Sequence, residues 1–210
     1  RLPEDLAQKI AAGFETDSAS VMQVLTDAET LRKYAVDNNN LLTTVIPNTY
    51  SFYWNTPPGK ILDKLYAEKV KFWNEERQAK AKALNLTPGQ VYTLASIVEE
   101  ETNKQDDKGK IASVYLNRIE KGMKLQADPT VKFALKDFAL TRIMYGHLNN
   151  QSPYNTYQHE GLPPGPICTP SIKTIDAVLD APQTNFIFFV AKPDFNGYSN
   201  FASSYAEHLV

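Results

Sequence analysis

The sequence is poor in the side chains that most often build a metal or redox centre. It has one cysteine and three histidines in 210 residues. A lone cysteine, Cys168, excludes an internal disulfide, although a free thiol does not fix the compartment. There is no H-E-x-x-H run and no cysteine pair, so a zinc site would need scattered ligands. His147, His159 and His208 read more simply as surface or groove residues, and no metal is expected. The G-x-S-x-G elbow and the Walker loop are also absent, and no cofactor is expected. Cys168 lies near His159 in sequence, but nothing basic surrounds it, so it reads as a small packing residue between Pro166 and Pro170. An excess of one charge is lacking too. The formal net charge is −2, and basic residues do not cluster with aromatics, which argues against a nucleic-acid partner. No apolar run approaches the roughly 20 residues of a membrane span. No signal peptide opens the chain. It begins Arg1-Leu2-Pro3 without an initiating Met and reads as a piece of a longer protein, leaving room for an upstream anchor.

What is present belongs to a folded protein: 42% hydrophobic and 22% charged residues, enough to bury a sizeable core. Thirteen prolines and eleven tyrosines suggest structured loops and a groove lined by aromatic hydroxyls, suited to carbohydrate or peptide. The chain is organised around Leu86 to Thr102. Thr87 is a suitable N-cap, Pro88 sits at N1 and Gln90 completes a capping box. Leu94, Ile97 and Val98 then form one stripe, at about 100° per residue, and the next position on it is Glu101. Glu99 and Glu100 point away, beside Ala95 and Ser96, where a charge can stay hydrated. Two readings of Glu101 stay open on the helix alone. Either the stripe ends and Glu101 turns into water, or Glu101 is held in a partly apolar cleft. There desolvation would raise its pKa, as a general acid for glycosidic cleavage requires.

Around this helix the pattern predicts small helices over residues 1 to about 45, carrying Leu6, Ile10, Val21, Val24 and Leu25, with Asp17 or Ser18 as a cap. The aromatic run Tyr50 to Trp54 reads as a strand, and Gly59 to about Leu84 as one long helix. A polar loop is expected from Asn103 to Gly109, then a helix through Tyr115 and Arg118 ended by Gly122. Asp128 before Pro129 reads as an N-cap, with a direct chemical role as the competing reading. Residues 151–170 are too rich in Pro and Gly for regular structure, and a loop of that length is usually functional. A helix through Ile175 and Val178, a buried-type strand from Phe186 to Ala191, a turn from Asp194 to Gly197 and a returning strand from Tyr198 follow. The closing segment from Ser203 to Val210 reads as a helix cut short. The only plausible domain boundary lies near Thr43 to Asn48.

Several blocks carry a resemblance in order: Leu94 to Thr102, Ala112 to Arg118, Leu125 to Val131, Tyr154 to Tyr157, Gly161 to Ile167 and Phe188 to Ala191. They resemble the YceG-like family of endolytic murein transglycosylases. Pro47-Asn48-Thr49-Tyr50 is similar to an earlier block where the family usually has Asp at the second position. The resemblance implies an α+β fold: a helical, lysozyme-like catalytic core with short strands over residues 46–210, preceded by a partial LysM-like module over residues 1–45. It implies glycosidic cleavage of peptidoglycan within the strand, leaving 1,6-anhydro-muramic ends and limiting nascent strand length. By resemblance the catalytic glutamate falls on Glu101, with Glu99 a possible support. Gln126, Asp128, Tyr154, Asn155 and Tyr157 are the candidate substrate contacts. Glycan strands and peptidoglycan synthases are the implied partners, with an upstream helix anchoring the protein in the inner membrane and the catalytic part outside it. A muramidase using Asp128 as a second carboxylate, and a non-catalytic glycan-binding scaffold, remain the alternatives.

Overall fold

The computed structural model describes residues 1–194 and 196–209. Its helices begin where the sequence supplies caps. Helix α1 (Pro3–Gly13) opens on a proline. In α2 (Ser18–Thr26) Asp17 accepts the Ser20 N–H, and in α3 (Ala28–Lys33) Asp27 accepts that of Thr30. A 3-10 turn, Leu41–Thr44, leads toward helix α4 (Pro58–Phe72). These pieces close a small core around Ile10, Val21, Leu25, Leu41, Ile61 and Leu65. That core crosses the boundary expected near residue 45, because α4 contributes Ile61, Leu62 and Leu65 to it. Among the described residues 1–45 there is no strand.

The strand expected at Tyr50 to Trp54 is not formed. Tyr50 and Phe52 pack onto the small core, but among the described residues the segment finds no partner strand, and an extended run without a ladder stays a loop. The single long helix is also corrected. It breaks at Trp73, and α5 (Glu75–Ala83) restarts on Asn74, whose side chain accepts the Arg77 N–H. Asn74 followed by two glutamates is a helix-start signal, and burying Trp73 fixes the break.

Helix α6 (Pro88–Glu101) carries the expected capping box between Thr87 and Gln90. Helix α7 (Gln105–Glu120) starts earlier than its polar composition suggests, taking in most of the expected loop. It ends in a Schellman motif at Gly122 (φ 64°), with the Met123 N–H donating to the Arg118 carbonyl at 2.8 Å. In α8 (Asp128–Leu135) the N-cap is Ala127, not Asp128, which occupies the first helical position. Helix α9 (Ile172–Leu179) packs on α6 and α7, and Tyr92, Leu94, Ile97, Ile111, Ile175 and Val178 build the larger core.

Among the described residues the sheet is a single antiparallel hairpin, β1 (Phe188–Ala191) with β2 (Ser199–Ala202), pairing Phe189 with Phe201. Its first strand is half-exposed rather than buried: Phe188 and Phe189 are partly covered, while Val190 and Ala191 are exposed. The expected turn from Asp194 to Gly197 includes Phe195, and the expected closing helix includes Val210, both outside the described residues. A short helix, α10 (Tyr205–His208), follows the hairpin.

The two cores are pinned together. The Tyr92 hydroxyl donates to the Val45 carbonyl at 2.7 Å and the Tyr154 hydroxyl to the Asn39 carbonyl at 3.3 Å. A Cβ at Gly165 would lie 1.9 Å from the Asn39 carbonyl oxygen, so this contact admits only glycine. Residues 151–170 hold no regular helix or strand.

Candidate active site

Glu101 is the last residue of α6, and the stripe leading to it, Leu94, Ile97 and Val98, is fully buried. The opposite side of α6 is buried as well. Ala95 and Ser96 are covered, and the Ser96 hydroxyl accepts the Ile167 N–H at 3.0 Å. Glu99 is therefore not hydrated as its position suggests. Its carboxylate accepts Lys108 Nζ at 3.0 Å, the Ser171 hydroxyl at 3.1 Å and the Thr174 hydroxyl. Burial pushes its pKa up, but the bonds from Thr174, Lys108 and Ser171 outweigh that and hold it below the ordinary value. Glu99 is thus an ionised group in a structural ion pair, without a proton to give at neutral pH.

Glu101 is in the opposite condition. Its Oε1 accepts the Tyr115 hydroxyl at 2.5 Å, and Oε2 has no protein partner among the described residues. Burial raises its pKa to about 7; the Tyr115 bond opposes the rise, the Asp128 charge adds to it, and Lys132 and Arg118 oppose it. Such a carboxyl is about half protonated at neutral pH and can both give and take a proton. Tyr115 is held in turn by burial and by an edge-to-face contact with Phe189, ring centroids 5.9 Å apart.

Glu101 lines a cleft of about 580 Å³. Its floor is Glu101, Tyr115 and Arg118, the last two one turn apart on α7. One wall is the segment Leu125 to Asp128 with Tyr157 behind it, and the other is the hairpin with Tyr205 and His208 of α10. Asp128 Oδ1 accepts the Tyr157 hydroxyl at 2.6 Å, and burial together with this bond raises the Tyr157 pKa well above its ordinary value. Gln126 holds a left-handed backbone (φ 54°), a costly state for a residue with a Cβ. Two bonds keep it there: the Gln126 N–H donates to the Thr156 carbonyl at 3.1 Å, and the Ala127 N–H to the Thr156 hydroxyl at 3.0 Å.

Of the candidate contacts, Gln126, Asp128 and Tyr157 therefore meet Glu101 in one cleft. Tyr154 and Asn155 do not. Tyr154 packs against Phe133 with the rings tilted by 45° and reaches Asn39, outside the cleft lining. Asn155 is fully buried, and its amide donates to the Leu148 and Asn150 carbonyls at 3.0 and 2.7 Å, which folds the loop behind Tyr157. Sequence reasoning missed Tyr115 and Arg118 as cleft residues, although their spacing from each other carried the signal. His208, read from sequence as a surface or groove residue, does line the cleft, whereas Tyr205 carried no signal, because only the hairpin brings it across. Cys168 is buried against the Ser96 carbonyl, which pushes its thiol pKa up and leaves it unreactive. Among the described residues no three His, Cys, Asp or Glu side chains gather as metal ligands.

The family model described as "YceG-like family" matches residues 3–210. The chain belongs to the YceG-like family. It is 36% identical over 169 residues to the endolytic murein transglycosylase of Bacillus subtilis, covering 78% of this chain and 45% of that protein. It is 31% identical over 151 residues to the endolytic murein transglycosylase of Streptococcus pneumoniae, covering 70% of this chain and 27% of that protein. The chain thus spans less than half the length of these curated relatives. The crystal structure of a putative YceG-like protein from Listeria monocytogenes matches with a TM-score of 0.85 at 28% identity, over 100% of this chain and 72% of that one.

Proposed function

We propose that this chain carries the glycan-cleaving centre of an endolytic peptidoglycan lytic transglycosylase, with Glu101 as its one acid and base. The observation that carries the reading is a partly buried carboxyl of pKa about 7, opening on a cleft while the neighbouring Glu99 is locked in an ion pair. The B. subtilis and S. pneumoniae relatives bear the name of that activity.

The chemistry follows from one carboxyl. Protonated Glu101 gives its proton to the glycosidic oxygen as the bond from muramic C1 to that oxygen breaks. Positive charge develops at C1 and the ring oxygen. The Glu101 carboxylate, kept in place by the Tyr115 hydroxyl, then takes the proton of the C6 hydroxyl as O6 bonds to C1. The 1,6-anhydro end closes without water, and Glu101 is again protonated. Gln126, Asp128 and Tyr157 orient the sugar: an amide, a carboxylate and a phenol that match acetamido and hydroxyl groups. The wider reading adds a LysM-like role for the first helices, an upstream inner-membrane anchor, peptidoglycan synthases as partners and a limit on nascent strand length.

Digestion of glycan strands in ¹⁸O-labelled water, read by mass spectrometry, is the test. Anhydro ends without label support the proposal. Labelled reducing ends would make the protein a muramidase with Asp128 activating water, and uncut strands would leave a binding scaffold.

A further inference from the structure

Arg118 is a buried cation that forms no ion pair among the described residues. Only 7% of its surface is exposed, and what is exposed lines the cleft beside Glu101. Its Nε donates to the Ile187 carbonyl at 2.8 Å, and its Nη1 donates to the Leu125 carbonyl at 2.7 Å, the Lys124 carbonyl at 3.3 Å and Gln126 Oε1 at 3.4 Å. The Phe188 ring lies 5.4 Å beneath the guanidinium. Among the described residues no carboxylate forms an ion pair with it, and Nη2 has no acceptor.

A guanidinium that serves only as a brace spends its donors on the protein, because an unmatched buried donor or charge is costly. Here Nε and Nη1 are spent on the protein, while Nη2 has no protein acceptor among the described residues and is left to the solvent of the cleft. The bare edge is also built at a cost in backbone energy. The left-handed turn at Gln126 follows directly on the Lys124 and Leu125 carbonyls that hold Nη1. This arrangement fixes the guanidinium from behind and leaves Nη2 facing the space where a sugar would meet Glu101. An oxygen of carbonyl or carboxylate type completes such a fork, and a hydroxyl does so less well.

We infer that Arg118 is a substrate-binding residue whose Nη2 edge takes an acyl oxygen of the sugar held against Glu101. In a murein strand that oxygen belongs to the acetamido group on C2, or to the lactyl group on C3 of the muramic residue. The inference rests on the function proposed above for the same cleft. Once the sugar is bound, the cation stands beside the Glu101 carboxylate left after proton donation and favours it.

Two measurements test this. The first uses the wild-type protein labelled with ¹⁵N-arginine, titrated with N-acetylmuramic acid and, separately, with N-acetylglucosamine. A shift of the Arg118 side-chain resonances with muramic acid alone assigns the lactyl group, and a shift with both sugars assigns the acetamido group. The second compares Arg118→Lys with wild type on strands stripped of their peptides. Lysine keeps the charge but not the fork, and one charge-assisted hydrogen bond corresponds to about 10- to 100-fold. A rise of that size in KM, with kcat much less affected, is expected. No resonance shift with either sugar, or an Arg118→Lys enzyme with wild-type KM, overturns the inference. Should Arg118→Lys fail to fold, the titration decides alone. Sugar-dependent shifts in a protein that cuts no strand would sink the proposed function and leave the binding role standing.

Discussion

Replacing Glu101 by glutamine reveals the energy stored in the cleft, because its effect on stability must change with pH. A carboxyl with a folded-state pKa of about 7 and an ordinary value of 4.5 binds its proton more tightly folded than unfolded. The folded state therefore loses stability as pH rises from the ordinary value through about 7, and above that the full cost is present. At about 1.4 kcal/mol per unit the full cost is on the order of 3 kcal/mol, of which roughly 2.5 accrues between pH 5 and pH 8. Glutamine has the same shape and no proton to lose, so Glu101→Gln escapes this cost. All other titrating groups are common to both proteins and cancel in the difference. For a chain of this size 1 kcal/mol moves Tm by roughly 2–4 °C, so the advantage of the variant should grow by about 5–10 °C between pH 5 and pH 8. Scanning calorimetry of both proteins at the two pH values measures it. A difference in Tm that stays constant with pH would refute the raised pKa and, with it, Glu101 as a stored acid.

The remaining expectations use different parts of the molecule. Tyr115→Phe removes the hydroxyl that steadies the Glu101 carboxylate, so kcat should fall about tenfold or more and the alkaline limb of the pH–rate profile should move upward; a limb that stays in place would separate Tyr115 from the acid. Lys108→Met leaves the Glu99 carboxylate half-buried without its cation and should cost about 2 kcal/mol by denaturant unfolding, a loss that Glu99→Gln in the same chain should largely relieve. Gly165→Ala drives a Cβ into the Asn39 carbonyl and should cost about 2–3 kcal/mol, with wild-type stability contradicting the close approach between the two cores.

The sequence made the central helix legible because its start and its apolar stripe are both local signals: Thr87, Pro88 and Gln90 at one end, and Leu94, Ile97 and Val98 leading to Glu101. The left-handed Gly122 that ends α7 was legible for the same reason. What failed was whatever depends on a distant partner. Tyr50 to Trp54 has the alternation of a strand but no edge to pair with. Glu99 is at a position that would be hydrated on an isolated helix, yet α7 and α9 bring Lys108 and Thr174 onto it. Tyr154 and Asn155 share a block with Tyr157, but the turn between them sends one side chain to Asn39, one into the loop and only the third into the cleft. Arg118 carried its signal one helical turn from Tyr115, but its bare edge becomes visible only once its carbonyl partners are in place.

The central claim is that one carboxyl at position 101 both gives and takes the proton. The most direct measurement is the rate at which 1,6-anhydro ends appear, by mass spectrometry, when Glu101→Gln and Glu99→Gln act on the same glycan preparation. Glu101→Gln should form almost none while folding at least as stably as wild type, and Glu99→Gln should keep most of its rate. Anhydro ends formed at near wild-type rate by Glu101→Gln, with Glu99→Gln inactive, would contradict the claim and move the acid to the other side of the helix.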